Sequence, residues 1–232
     1  MDYAILLFIS GLSQRFDLDI KSAVKYALPD MRKIQAIIFD WGGVLIEDPA
    51  PALFKYCANA LGVGVEKYAA AFNMFLNDFQ TGRVIEQQFW RNMTSYLKVP
   101  MPKVNSLWSD AFALAYRPRQ ELFSLAGQLR KAGLKIALLS NTEKPAVELI
   151  RRQKYDLFDV MVFSCHEGTA KPERKIYEIV LDRLGIPAGN TLFIDDKQDF
   201  IDGAKKVGLQ TIFFKNIDQL KKNLAELGLN LV

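Results

Sequence analysis

Five short apolar runs, separated by stretches of helical spacing, constrain this chain more than any other feature. They fall at residues 34–39 (I-Q-A-I-I-F), 134–139 (L-K-I-A-L-L), 160–163, 191–194 and 210–214. Between them lie amphipathic segments at 121–131, 145–155, 172–184 and 200–207, the first with Leu122, Leu125 and Leu129 on one face. Strands that are apolar along their whole length and alternate with helices are those of a parallel sheet covered on both sides. Right-handed crossovers then bring every strand's C-terminal end to the same edge of the sheet.

Residues 49–117 interrupt the alternation. Their apolar positions keep helical spacing (Leu53, Tyr56, Cys57, Ala60; Tyr68, Phe72, Phe75, Phe79; Phe89, Met93, Leu97) and offer no clear strand. The segment reads as a small helical lobe inserted after the first strand, with Gly82 marking a turn between two of its helices. Phe75, Phe79, Arg83 and Trp90 are its candidate site-facing residues, although helical packing alone accounts for the three aromatics. The division expected is an N-terminal extension at 1–33, a core at 34–48 and 118–232, and a cap at 49–117. The extension has amphipathic character, so its apolar side needs cover from the main body or from a second copy of the chain.

Composition narrows the partners. Lys and Arg number 30 against 26 Asp and Glu, and a net charge of +4 over 232 residues gives no footing for nucleic acid. The pairs Arg130-Lys131, Arg151-Arg152 and Lys221-Lys222 read as solvated helix faces. Cys57 and Cys165 make neither a C-x-x-C nor a zinc pattern, which fits a reducing compartment. The apolar run at 4–9 lacks a basic flank and falls short of the roughly 20 residues of a membrane span. A cytoplasmic protein without a membrane anchor is expected.

The polar residues that follow the strands carry the chemistry. Asp40 follows the first, in F-D-W-G-G-V. Ser140 and Asn141 follow the second, Lys171 comes after the third, and Asp195 and Asp196 end the fourth. Each alone has a plain reading as a cap, a surface amine or a loop pair; together at one sheet edge they describe a shared site. Three clustered carboxylates raise one another's pKa unless a cation lies among them, and oxygen-only ligands favour Mg²⁺. Metal, Lys171, Ser140 and backbone N–H groups would form a pocket for a dianionic phosphoryl group. Asp40 can then act as a carboxylate nucleophile, and Gly42 can turn its carbonyl oxygen to the metal.

These stretches, F-D-W-G-G-V at 39–44, L-L-S-N at 138–141, K-P at 171–172, I-D-D at 194–196 and the trailing I-D-G-A-K-K-V-G-L at 201–209, resemble the haloacid dehalogenase-like (HAD) hydrolase superfamily. The likeness spans about residues 34–214. It implies an α/β fold, a Rossmann-like parallel-sheet core with an inserted helical cap. It also implies Asp40 as nucleophile, Ser140 and Asn141 as phosphoryl binders, Lys171 as charge stabiliser, and Asp195 and Asp196 as the Mg²⁺ pair. Two positions depart from the phosphatase pattern. The general acid expected two residues after the nucleophile is Gly42, and an asparagine expected after the I-D-D motif is Phe200, with Asp199 one position earlier. The D-x-G first motif is similar to that of glucose-1-phosphate phosphatases, which implies a Mg²⁺-dependent hydrolase of small phosphorylated metabolites, sugar phosphates among them. Removal of halide from 2-haloacids and a non-catalytic binding role remain the alternatives. His166, the only histidine, lies in the loop before Lys171 and reads as a satisfied or exposed side chain.

Overall fold

The computed structural model describes residues 33–229, so the expectations placed on the first 32 residues, including self-association through them, lie outside the described residues. The five apolar runs become β1 (Ala36–Phe39), β2 (Lys135–Ser140), β3 (Val160–Phe163), β4 (Thr191–Asp195) and β5 (Gln210–Phe213). All pair in parallel, in the order β3-β2-β1-β4-β5. Alternate side chains divide the sheet's faces. Ile37, Phe39, Ile136, Leu138, Leu192 and Ile194 belong to one buried cluster. Ala36, Ile38, Ala137, Leu139 and Phe193 belong to the other. Burial on both faces is the reason these strands lack polar alternation.

Four helices, α1 (Ala50–Ala60), α2 (Val65–Gln80), α3 (Glu86–Leu97) and α4 (Leu107–Ala115), occupy the stretch between β1 and α5 (Gln120–Lys131), which precedes β2. No strand interrupts them among the described residues. Their interior is aromatic: the rings of Phe79 and Phe89 stack at 4.2 Å, and those of Phe72 and Trp108 at 5.4 Å. Ser106 caps α4, its hydroxyl accepting from the Ser109 N–H at 3.0 Å. The carboxylate of Glu86 ties α3 to α4, accepting from Ser106 Oγ at 2.6 Å and from the Trp108 backbone N–H at 2.9 Å.

The remaining helices are α6 (Lys144–Arg152) after β2, α7 (Ser164–Glu167) and α8 (Arg174–Leu184) after β3, α9 (Gln198–Lys206) after β4 and α10 (Ile217–Glu226) after β5. The basic pairs are exposed. Those of α5 and α6 sit in each helix's last turn, where they oppose the negative end of the helix dipole. No described helix is long and apolar enough to cross a membrane.

Candidate active site

Strand register places the first two carboxylates side by side. Phe39 pairs with Ile194, and the Asp40 N–H donates to the Ile194 carbonyl at 2.9 Å, so Asp40 and Asp195 leave neighbouring strands at one level. Lys171 arrives from the β3 side, beyond α7. Its ammonium lies 2.6 Å from Asp40 Oδ1 and 2.6 Å from Asp195 Oδ2, with no exposed side-chain surface. Burial pulls that ammonium down, but the two carboxylates outweigh burial and hold it above the usual lysine range. The rings of Phe200 and Phe193 face it at 4.8 and 5.4 Å. Where the phosphatase pattern has an amide, this chain thus places an aromatic face against the cation. Asp199 is exposed on the first turn of α9.

Asn141 holds Lys171 in place. Its Nδ2 donates to the Lys171 carbonyl at 2.9 Å while its Oδ1 accepts from the Lys171 N–H at 2.8 Å. Both ends of the carboxamide are therefore committed to the backbone of the lysine. Ser140, the last residue of β2, is buried and lines the cavity described below.

One oxygen from each of Asp40, Asp195 and Asp196 falls within 4.8 Å of the others. Three carboxylates against one ammonium leave two uncompensated negative charges when all are ionised. Asp196 Oδ1 is buried with no hydrogen-bond partner. Burial, opposed by Lys171 and reinforced by Asp195, pushes the Asp40 carboxyl up to about 7. Burial and Asp195 push Asp196 upward as well. An orphaned carboxylate oxygen and an all-oxygen donor set fit a hard divalent cation. Asp40, Asp195, Asp196 and the Gly42 carbonyl are the groups that could hold it.

The loop after Asp40 explains its two glycines. Gly43 adopts φ +95°, and a Cβ there would lie 2.1 Å from Asp196 Oδ2. The loop is pinned from below by Arg119, whose Nη1 donates to the carbonyls of Gly43 (2.5 Å) and Val44 (3.0 Å). At Gly42 a Cβ would stand 3.1 Å from Cδ of Pro49, the N-cap residue immediately before α1. The position of the missing general acid is thus crowded by the start of the helical insertion. The ring of Trp41 packs edge-on against Phe123 and Tyr155.

Above the strand ends lies a cavity of about 330 Å³ lined by both segments, core and insertion. It is reached by Asp40, Gly42, Ser140, Asn141 and Lys171 from below and by Phe72, Leu76, Gln80 and Trp108 from above. None of the four site-facing residues expected on the insertion lines it. Phe79 and Trp90 are buried in the aromatic interior, Phe75 packs on Tyr96, and Arg83 pairs with Asp78 at the surface. Helical spacing was right, but α2 turns the 72–76–80 row to the cavity rather than 75–79. The insertion is also anchored to the core away from its two connections. Gly82 (φ +68°) passes so close to the Cys165 carbonyl that a Cβ would lie 2.1 Å from it. Ser164 Oγ donates to the Gln80 carbonyl at 2.6 Å.

Residues outside the motifs also shape the site. Arg119 pins the loop after Asp40, and Lys197 lines the cavity. Glu143 follows Thr142 in S-N-T-E, is 4% exposed, lines the cavity, and accepts from Trp108 Nε1 at 3.0 Å. An acid three residues past Ser140 was the available signal. His166 is exposed, with its ring edge-on to Phe163.

A Rossmann-like parallel sheet, an inserted helical lobe and a lysine-bridged carboxylate cluster at the strand ends define a hydrolase class. Residues 34–208 match the family described as haloacid dehalogenase-like hydrolase, and the chain belongs to that family. It is 26% identical over 177 residues to a sesquiterpene phosphatase of Aspergillus oryzae, covering 75% of this chain and 87% of that protein. It is 24% identical over 217 residues to a phosphatase of Mycobacterium tuberculosis, covering 84% and 95%. Other relatives are longer: the chain spans 19% of mouse acyl-CoA dehydrogenase family member 10 and 36% of a drimenol cyclase of Aspergillus calidoustus. Among solved structures, a HAD-like hydrolase of Porphyromonas gingivalis superimposes with TM-score 0.69 at 26% identity, covering 84% of this chain and 97% of that one. A HAD family enzyme of Bacteroides thetaiotaomicron, in complex with magnesium and inorganic phosphate, matches in fold with TM-score 0.63 at 23% identity, covering 81% and 98%. The chain is a HAD-family hydrolase with phosphatase relatives.

Proposed function

We propose that the protein is a Mg²⁺-dependent phosphomonoester hydrolase that works through an aspartyl-phosphate on Asp40, acting on a small phosphorylated metabolite in the cytoplasm, with residues 49–117 as its cap. One observation carries this reading: three carboxylates gather around a single buried ammonium, with Asp196 Oδ1 left unpartnered. Halide displacement needs no cation, and that cluster would then stand as unrelieved buried charge. The two buried free cysteines suit a reducing compartment.

Lys171 grips Asp40 Oδ1 and leaves the second carboxylate oxygen for attack on phosphorus. As that bond forms, the bond from phosphorus to the leaving oxygen breaks, and the departing alkoxide takes its proton from solvent. Water then attacks the phosphoryl group, restoring Asp40 and releasing inorganic phosphate. Ser140 and the Lys171 ammonium face the phosphoryl oxygens, and Asn141 keeps the lysine backbone in register. Mg²⁺, when bound, neutralises phosphoryl charge. The deciding experiment is hydrolysis of sugar phosphates, nucleotides, acyl phosphates and aryl phosphates, alongside 2-haloacids, with and without Mg²⁺. Phosphate release that needs the metal is expected; halide release without it would overturn the reading.

Metal binding has a second readout. Asp40 is raised from its unfolded value to about 7, so in metal-free protein its contribution is present below about pH 4 and is lost as pH rises through 7. Mg²⁺ competes with the proton for these oxygens. Saturating Mg²⁺ is therefore expected to raise Tm more at pH 8 than at pH 5. Asp196→Asn should remove most of that rise and Asp199→Asn little of it. Calorimetric traces with equal shifts in both variants would take Asp196 out of the metal site.

A further inference from the structure

The cavity above Asp40 has a substantial apolar lining. Leu53, Phe54, Phe72, Leu76, Trp108 and Phe112 line it, with Asn73 and Gln80 among them. Into this apolar surround the core sends one buried carboxyl, Glu143. Its neighbours come from the insertion: Trp108 on α4, which donates to Oε2, and Gln80 at the end of α2. Lys197, which also lines the cavity, acts on both Glu143 and Asp196. Tyr68 and Cys165 lie near enough to feel its charge. Glu143 and Asp40 line one chamber.

We infer, resting on the phosphatase reading above, that Glu143 selects the leaving group: its carboxylate accepts a hydrogen bond from a hydroxyl or ammonium carried by an otherwise apolar or aromatic alcohol. Holding Trp108 does not require an acid there. Glu86 already holds the Trp108 backbone N–H and the ring of Phe72 stacks on the indole, and a neutral acceptor would bond Nε1 without the cost of a buried charge. Burial pushes the Glu143 carboxyl up to about 7, while hydrogen bonds from Gln80 and Trp108 and the charge of Lys197 pull it back. A carboxyl in that state gains from one further donor. Reach agrees as well. Glu143 is three residues beyond Ser140, so their Cα atoms are separated by no more than about 11 Å. A phosphoryl group at Ser140 and a donor at Glu143 are spanned by a ring with a short arm.

The test compares para-ethylphenyl phosphate with its hydroxyethyl and aminoethyl counterparts, which differ at the far end of the ring rather than at the ester. In wild-type protein with Mg²⁺, kcat/KM is expected to favour the donor-bearing substrates by about tenfold or more, the effect of one hydrogen bond to a charged group. In Glu143→Gln the ratio should fall toward one, and Glu143→Asp, which withdraws the carboxylate, should lower it too. Equal loss on all three substrates would assign Glu143 to holding Trp108 and overturn the inference. A loss that tracks leaving-group pKa across further aryl phosphates would make it a proton donor and overturn it as well. Calorimetric binding of the three free phenols supplies a readout independent of turnover. Should no phosphate ester be hydrolysed, the phosphatase reading fails, while tighter binding of the donor-bearing phenols to wild type than to Glu143→Gln still supports the role of Glu143, and equal binding removes it.

Discussion

Asp40→Asn is expected to lower phosphate release by at least about 10³-fold while leaving the fold and its Tm largely intact. The amide is nearly the same size and still fits between β1 and the Lys171 ammonium, but its uncharged oxygen is too weak a nucleophile to attack phosphorus. The parent protein, quenched in acid during turnover, should carry a phosphoryl group on the peptide that contains Asp40, and the variant should not. Both results are expected from the proposed role of Asp40 as nucleophile, with the Lys171 ammonium 2.6 Å from its Oδ1. Turnover at the wild-type rate in Asp40→Asn would move the chemistry to another residue.

Lys171→Met carries the largest expected cost in stability. The ammonium is the shared partner of two buried carboxylates, and taking away one member of a buried ion pair costs about 3–5 kcal/mol because the charge left behind has no partner. For a domain of this size that corresponds to a fall in Tm of roughly 10 °C. The sign with pH follows from Asp40. Below 7 its carboxyl is largely protonated and needs the lysine less; above 7 it is ionised and needs it more. The deficit in metal-free protein should therefore be greater at pH 8 than at pH 5, and Mg²⁺ should recover part of it. A variant as stable as the parent at pH 8 without metal would show that the ion pairs add nothing to folding.

The polar residues at strand ends were legible because parallel topology has one consequence: every C-terminal end faces the same edge. Asp40, Ser140, Lys171, Asp195 and Asp196 could be grouped without knowing a single distance. Asn141 shows the limit of that reasoning. Its place in L-L-S-N associates it with phosphoryl binding, yet its carboxamide spans the Lys171 backbone, a contact between two loops that adjacency in sequence does not reveal. Phe200 is similar. As a substitution in a motif it looked like a loss, whereas its ring faces the Lys171 ammonium.

By itself the sequence determined the sheet, its inserted helices and the residues delivered to the sheet edge, because fully buried strands must be apolar throughout and helices must repeat near 3.6 residues. Only the tertiary structure decided which face of α2 meets the cavity, since spacing defines a stripe but not the rotation of that stripe toward a neighbour. It also decided that Pro49 crowds Gly42, that Asp196 leaves no room for a Cβ at Gly43, and that Glu143 is buried among aromatic side chains of the insertion. Each depends on how closely segments distant in the chain approach one another, and burial and approach, rather than residue type, determine what a carboxyl or a glycine contributes to the site.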